Sequence, residues 1–221
     1  MLDNRTQADR AFDLLEADIV SGRLPMGAKL GEEMLAARLG VSRGPLREAL
    51  RRLEGRSLVV RTARSGVRVV SLSEDDLVEL YEVRGSLEGL AARLAAERGS
   101  DAEFAELADL LERQRVRSKS NDDTDYAQGI ERDDFHFRIA LVSGSSRLQK
   151  LLCGDLYSLI RLCRYKTWSI PGQRKSHSDH ERILEAIQNR DGELAELLMR
   201  RHVGVARQRF RAAERQSSET V

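Results

Sequence analysis

The chain has 221 residues, 41% hydrophobic and 33% charged, which excludes a disordered protein and, at about 100–200 residues per domain, leaves room for two domains. No apolar run approaches the roughly 18–20 residues of a membrane span, and the N-terminal stretch lacks the apolar core of a signal peptide, so we expect a cytoplasmic protein with no membrane contact. The net charge is only +1, but basic residues outnumber acidic ones over residues 1–72 and acidic ones prevail afterwards, which suits a polyanion docking on the first part.

The first predicted elements are two helices joined by a turn. Apolar residues at helical spacing predict a helix over residues 7–21, and Pro25 with Gly27 marks the turn after it. A short second helix is expected over Glu32–Leu39, and Gly40 suits a left-handed C-terminal residue. The side chains expected to be buried are Ala11, Leu14, Leu15, Ile19 and Val20 in the first helix and Met34, Leu35 and Leu39 in the second.

A third helix, with Ser42 as its N-cap, has two distinct faces. Arg43 and Arg47 are four residues apart and therefore share one face. A major-groove recognition helix needs this arrangement, because its early residues reach base edges and Arg pairs bidentately with guanine. The opposite, apolar face consists of Leu46, Ala49, Leu50 and Leu53.

Two β-type runs, Leu58–Arg61 and Val67–Val70, follow the third helix, and Gly66 lies at the tip between them. Three helices and a β-hairpin are the layout of a winged helix-turn-helix, which we assign to residues 1–72. A surface helix with solvated arginines is the alternative, and the break at Gly40 and the hairpin both argue against it.

The run LAARLGVSRGPLREALRRLE, with the hairpin after it, resembles the DNA-binding domain of the GntR family of regulators over about residues 7–72. The resemblance implies a double-stranded DNA operator as partner, with Arg43 and Arg47 reading bases and the hairpin tip at Arg64–Gly66 entering the minor groove. The candidate DNA-contacting residues are Ser42, Arg43, Arg47, Arg52, Arg64, Ser65 and Gly66.

Two positions depart from the family pattern. Glu33 stands where many members have an Arg that contacts a base, and Ser57 stands where relatives usually have a Gly before the first wing strand. We therefore expect an operator sequence that differs from those of better-known relatives.

From Ser73 onward every segment has a helical pattern, so we expect an all-α bundle of six to seven helices over residues 73–215, followed by a disordered tail at 216–221. The fold class is therefore mainly α. The first helix of the bundle carries Leu77, Leu80, Leu87, Leu90 and Leu94, which we assign to core or dimer packing. The helices are expected over residues 73–98, 101–119, 122–142, 146–167, 173–189 and 192–214.

Three histidines lie in segments that resemble the helical effector domain of the FadR subfamily: His136 in RDDFHFRIAL, His180 in SDHERILEAI and His202 in LLMRRHV. The resemblance implies that they hold a divalent metal ion such as zinc or nickel, together with an Asp four residues before the first histidine. Here that position is Arg132, and Asp133, three residues before His136, is the candidate substitute ligand.

The alternative to a metal is an organic anion. Without a cation, the guanidinium of Arg132 beside three imidazoles would favour a ligand carboxylate, which Arg holds bidentately. Arg84 matches a recurring position of such domains that faces the cavity, or it is the i,i+4 partner of Glu88. Arg84 and Arg132 are thus the candidate effector-binding residues, and a small carboxylate is the expected effector.

The sequence therefore predicts a dimeric DNA-binding repressor that reads an inverted repeat and responds to a small carboxylate. A metal-dependent enzyme built on His136, His180 and His202 is the alternative, but the sequence contains no HExxH, nucleophile elbow or glycine-rich phosphate loop. An architectural DNA-binding protein without effector is a third hypothesis.

Overall fold

The computed structural model describes residues 5–63, 66–119, 134–168 and 176–218, and most of them are helical. The chain forms two compact units. The first comprises Met1–Leu72 with Asp155–Tyr165, and the second comprises Ser73–Gly154 with Lys166–Val221. In the described part of the chain, no helix is long and apolar enough to cross a bilayer.

The first unit is a winged helix-turn-helix, as predicted. Its sheet has the order β1-β3-β2 with antiparallel pairing, and the wing register pairs Val60 with Arg68. The two-residue strand β1 was not predicted, because a strand of this length has no period to detect. The elements are α1 (Gln7–Val20), β1 (Lys29–Leu30), α2 (Glu32–Leu39), α3 (Arg43–Gly55), β2 (Val59–Thr62) and β3 (Gly66–Val69).

Helix α1 begins with a capping box and buries a slightly different face from the one predicted. The Thr6 hydroxyl accepts a hydrogen bond from the Asp9 amide, and the Asp9 carboxylate accepts one from the Thr6 amide. Phe12 fills the core in place of Leu14, which is 54% exposed. Met34 in α2 is 63% exposed, so its predicted burial is also wrong, because this short helix buries only Leu35 fully.

The turns of the first unit need residues with positive φ. Gly40 ends α2 at φ 64°, in the predicted left-handed conformation. Ser57 has φ 57° after α3, a left-handed conformation that glycine adopts more readily than serine. The left-handed region costs an L-residue about 1–2 kcal/mol, which the surrounding core must offset.

The segment Asp155–Tyr165 packs in the first unit although it lies far along the chain. Leu162 joins the hydrophobic core of the winged helix-turn-helix. The Ser158 hydroxyl donates to the Glu16 carboxylate, and Arg56 donates to both, at 2.8 Å from Glu16 and 3.2 Å from Ser158. Leucine packing and a three-membered polar network therefore hold this segment.

The remaining elements are all helical, as predicted. The expected continuous helix over 146–167 is wrong, because a π-helical stretch, Lys150–Asp155, divides it. Of the helix expected over 122–142, only α6 lies in the described residues. The helices are α4 (Glu74–Arg98), α5 (Asp101–Lys119), α6 (Phe135–Val142), α7 (Ser146–Gln149), α8 (Tyr157–Trp168), α9 (Ser176–Gln188) and α10 (Gly192–Ser218).

Helices α4 and α10 pack closely through glycines of α4. A Cβ on Gly85 would lie 3.7 Å from the side chain of Val203, and one on Gly89 would lie 2.6 Å from Arg200 Cγ. The close approach of Arg200 favours glycine at position 89, whereas a Cβ on Gly85 would make an ordinary van der Waals contact with Val203.

Of the five leucines of α4 that the sequence assigned to core or dimer packing, only Leu77 is fully buried. Leu77 is buried, but Leu90 is 40% exposed, and the buried face is built largely from small and polar residues. The outer face carries an apolar stripe of half-buried or exposed side chains, here called the α4 stripe, which consists of Val83, Leu87, Leu90 and Leu94.

Candidate functional site

Helix α3 is anchored by its apolar face and exposes two arginines. Arg43 and Arg47 are both exposed in the first turns of the helix. Ser42 occupies the N-cap position, but its hydroxyl makes no capping hydrogen bond, unlike the predicted cap. The face that fixes α3 to the unit consists of Leu46, Ala49, Leu50 and Leu53, all of which are fully buried.

The two exposed arginines differ in their contacts. Arg47 Nε donates to Glu32 Oε2 at 2.8 Å, and this hydrogen bond is the main reason why the pKa of Glu32 lies below its ordinary value. Arg61 on β2 is 3.7 Å from the other oxygen of Glu32. Among the described residues, Arg43 has no ion-pair partner.

Arg52 is tied to α1. Its guanidinium is 2.6 Å from the Asp9 carboxylate and lies 4.4 Å above the centroid of the Phe12 ring. Hydrogen bonds from the Thr6 side chain and from Arg52 lower the pKa of Asp9 to about 2. Arg52 therefore helps to hold α3 on α1.

The predicted wing tip is described only in part. Gly66 begins β3 with φ 82°, a left-handed conformation that suits glycine at a hairpin tip. Arg64 and Ser65 lie outside the described residues.

The second unit brings together the three histidines that the sequence singled out. His136 on α6, His180 on α9 and His202 on α10 each offer a ring nitrogen, and these nitrogens all lie within 4.8 Å of one another. His180 Nε2 and His202 Nε2 are 3.2 Å apart. His136 and His180 are buried, and His202 is half-buried.

The donor set fits a divalent transition metal. Bonds of about 2.0–2.1 Å from a tetrahedral zinc ion to imidazole nitrogens place two ligand nitrogens about 3.3 Å apart. The 3.2 Å separation between His180 Nε2 and His202 Nε2 matches that spacing, and the ligand nitrogen of His136 lies no more than 4.8 Å from them. Imidazole also suits nickel, so the three rings alone do not select one metal. Asp133, the tentative fourth ligand, and Arg132 lie outside the described residues.

A buried carboxylate, Glu88 on α4, orients His136. His136 Nδ1 lies 2.7 Å from Glu88 Oε2, and Arg84 Nε donates to Glu88 Oε1 at 2.7 Å. Burial raises the pKa of Glu88, but the charge of Arg84 and the hydrogen bonds from His136 and Arg84 outweigh it and hold this pKa below its usual range. A charged Glu88 makes Nδ1 the protonated nitrogen of His136 and leaves Nε2 as a lone pair for a ligand.

Sequence reasoning found one half of this arrangement and missed the other. The spacing of four residues gave the Arg84–Glu88 pair as one of two alternatives for Arg84, and the pair forms with both side chains about 3–4% exposed. The contact between Glu88 and His136 joins residues that are 48 positions apart, and no local pattern signals it.

A small cavity of about 90 Å³ adjoins His202, and its lining includes both acidic and basic side chains. Asp179 lies 3.4 Å from His202 Nδ1, while Arg182 and Arg201 supply guanidinium groups. The lining residues are Asp179, Arg182, Leu198, Arg201, His202 and Val205.

Comparison with known proteins gives consistent matches over both units. The model of the gntR family of bacterial regulatory proteins matches residues 7–69, and that of the FCD domain matches residues 79–205. The Nta operon transcriptional regulator of Aminobacter aminovorans is 34% identical over 172 residues, 77% of this chain and 79% of its own. The HTH-type transcriptional repressor GlaR of Escherichia coli K12 is 30% identical over 199 residues, 86% of this chain and 89% of its own.

A solved structure shares the fold. The chain of E. coli McbR/YncC superposes with a TM-score of 0.75 at 23% identity, covering 93% of this chain and 99% of that one. At this level of identity, the similarity supports a shared fold and nothing further.

Proposed function

Because the chain belongs to the gntR family of bacterial regulatory proteins, we propose that it is a cytoplasmic repressor that binds an inverted-repeat operator as a homodimer. Membership of the family makes it a ligand-responsive DNA-binding transcription regulator and not an enzyme. Repression is the finer part of the proposal, supported by the relative GlaR, which is named a repressor.

The observation that carries the proposal is the exposed face of α3. Arg43 and Arg47 project from the first turns of a helix whose opposite face is fully buried, as a helix seated in the major groove requires. The Ser42 hydroxyl, which makes no capping hydrogen bond, would donate to a DNA phosphate. Arg52 would contact the DNA backbone through the N–H groups that do not bind Asp9. Gly66, with Arg64 and Ser65, would form the part of the wing that enters the minor groove.

The α4 stripe supports a homodimer. It presents apolar side chains at a spacing of three to four residues along the outer face of α4, where a second copy would cover them. A two-fold dimer places two recognition helices on one face of the duplex, so its operator is an inverted repeat.

The three histidines would hold a zinc or nickel ion. His136, His180 and His202 would supply the imidazole ligands, and Glu88 would keep His136 Nε2 aimed at the ion. The ion would supply a positive centre with open positions for an anionic effector. Asp133 remains the proposed fourth ligand.

A small carboxylate is the proposed effector. The cavity beside His202 contains the guanidinium groups of Arg182 and Arg201, which suit an anion. Arg132 stays a candidate for direct contact, whereas Arg84 would act through Glu88. An effector that binds one arrangement of the DNA-binding units more tightly than another shifts their populations and thereby the affinity for the operator.

Selection of duplexes from a randomised library by the full-length protein tests the proposal. We expect the recovered sequences to contain an inverted repeat whose half-sites are separated by about one helical turn, because both recognition helices of a dimer must reach the same face of the DNA. Recovery of single, unpaired sites would contradict the dimeric part, and recovery of no common sequence would favour an architectural DNA-binding protein.

A further inference from the structure

One of the two reading arginines is held in place by a carboxylate. Arg47 Nε donates to Glu32 Oε2 at 2.8 Å, whereas Arg43 has no ion-pair partner among the described residues. The two arginines lie on the same face of the same helix, so the difference between them comes from α2 and not from α3.

The contact between Arg47 and Glu32 uses Nε, which is not one of the two terminal nitrogens that would pair with a base. A guanidinium has a pair of terminal nitrogens that can meet guanine O6 and N7 side by side. Arg47 engages Glu32 through Nε, and its terminal nitrogens donate no hydrogen bond to another described residue. Glu32 therefore fixes the side chain while it leaves the base-reading edge available.

Glu32 is itself well placed to act as a fixed support. It is the first residue of α2, where the positive end of the helix dipole favours a carboxylate. Its side chain is 26% exposed, and its second oxygen faces Arg61 at 3.7 Å. The carboxylate is thus bracketed by two cations and a helix N-terminus.

We infer that Glu32 is a positioning residue that holds Arg47 in its base-reading conformation and so sharpens the choice of base. The inference rests on the proposed function, in which α3 reads the operator. Immobilising a long side chain before binding removes an ordering cost that corresponds to about a two- to tenfold effect on binding. The same carboxylate repels phosphates, so it strengthens discrimination while it weakens binding to unrelated DNA.

The test compares two carboxylates of α2 that differ in this contact. Glu33 is the next residue, is exposed, and has no ion-pair partner among the described residues, so Glu33→Gln is a matched control that removes the same charge. The probes are the duplex selected by the wild-type protein, its single-base variants and a random duplex, and affinities are measured by fluorescence anisotropy at one salt concentration with the full-length protein.

We expect Glu32→Gln to reduce discrimination about two- to tenfold at the base read by Arg47 and to leave the base read by Arg43 unaffected. Glu33→Gln should leave both unaffected, and both variants should bind the random duplex more tightly. Glu32→Asp keeps the charge but shortens the side chain, and it should also reduce discrimination.

Unchanged discrimination in both Glu32 variants, with discrimination lost in Arg47→Ala, would overturn the inference and leave the recognition helix intact. Unchanged discrimination in Arg47→Ala itself would instead overturn the proposed reading of DNA by Arg47.

Discussion

Glu88 shows how a single residue links the buried charges of the second unit. It accepts from both Arg84 and His136, and none of the three side chains is more than 7% exposed. A buried carboxylate is stable as an anion only when paired and hydrogen-bonded, and here the two partners come from different helices. The carboxylate that pairs with Arg84 therefore also sets the tautomer of a proposed metal ligand.

Replacing Glu88 with Gln should weaken metal binding. The neutral amide is a poorer acceptor for His136 Nδ1–H, so the imidazole becomes less basic and less well oriented. We expect the affinity for zinc to fall by about 10–100-fold, measured by competition with a chromophoric chelator on protein whose helix content is checked by circular dichroism.

Glu97→Gln is the control for this variant, because Glu97 lies exposed on the same helix and pairs only with Arg93 in the described structure. It should bind zinc as the wild type does. If Glu88→Gln also did so, Glu88 would have no role in orienting His136.

At the scale of elements, the sequence predicts what depends on local pattern. The three helices and the wing of the first unit follow from apolar periodicity and from Gly40. The predictions of burial that were wrong concern how a helix is rotated against its neighbours. Leu14 and Met34 are exposed because Phe12 and Leu35 reach the core instead. The π-helical stretch Lys150–Asp155 was not predicted, because one wider turn barely alters the apolar period of 3.6 residues.

The end of α4, at Gly99, has no room for a side chain. A Cβ on Gly99 would lie 2.5 Å from Phe104, 2.7 Å from the Ala95 carbonyl oxygen and 2.7 Å from Val142. Two of these neighbours are core side chains and one is backbone, so none can move away without cost.

Gly99→Ala should therefore destabilise the protein by about 1–3 kcal/mol, measured by urea denaturation. Gly204→Ala is the matched control, since a Cβ there meets nothing within 4 Å in the middle of α10 and should stabilise by up to about 1 kcal/mol. Equal effects of the two substitutions would mean that crowding at Gly99 does not limit stability.

At the scale of the molecule, the chain is two units whose composition could be predicted only in part. The winged helix-turn-helix and the helical bundle follow from pattern and resemblance. The inclusion of Asp155–Tyr165 in the first unit could not be foreseen, because it depends on contacts such as Ser158 with Glu16, 142 residues apart. Resemblance to a family identified the three histidines as a set, but the distances between their ring nitrogens depend on tertiary contacts and follow only from the structure.

We propose that the first unit reads base sequence through Arg43 and Arg47. The most direct measurement is the affinity of the full-length protein for its selected duplex and for every single-base variant of it, repeated with Arg43→Ala and Arg47→Ala. We predict that each variant loses about 1–3 kcal/mol of discrimination at one position of each half-site and keeps the remaining profile. An unaltered profile in both variants would contradict base reading by these two arginines.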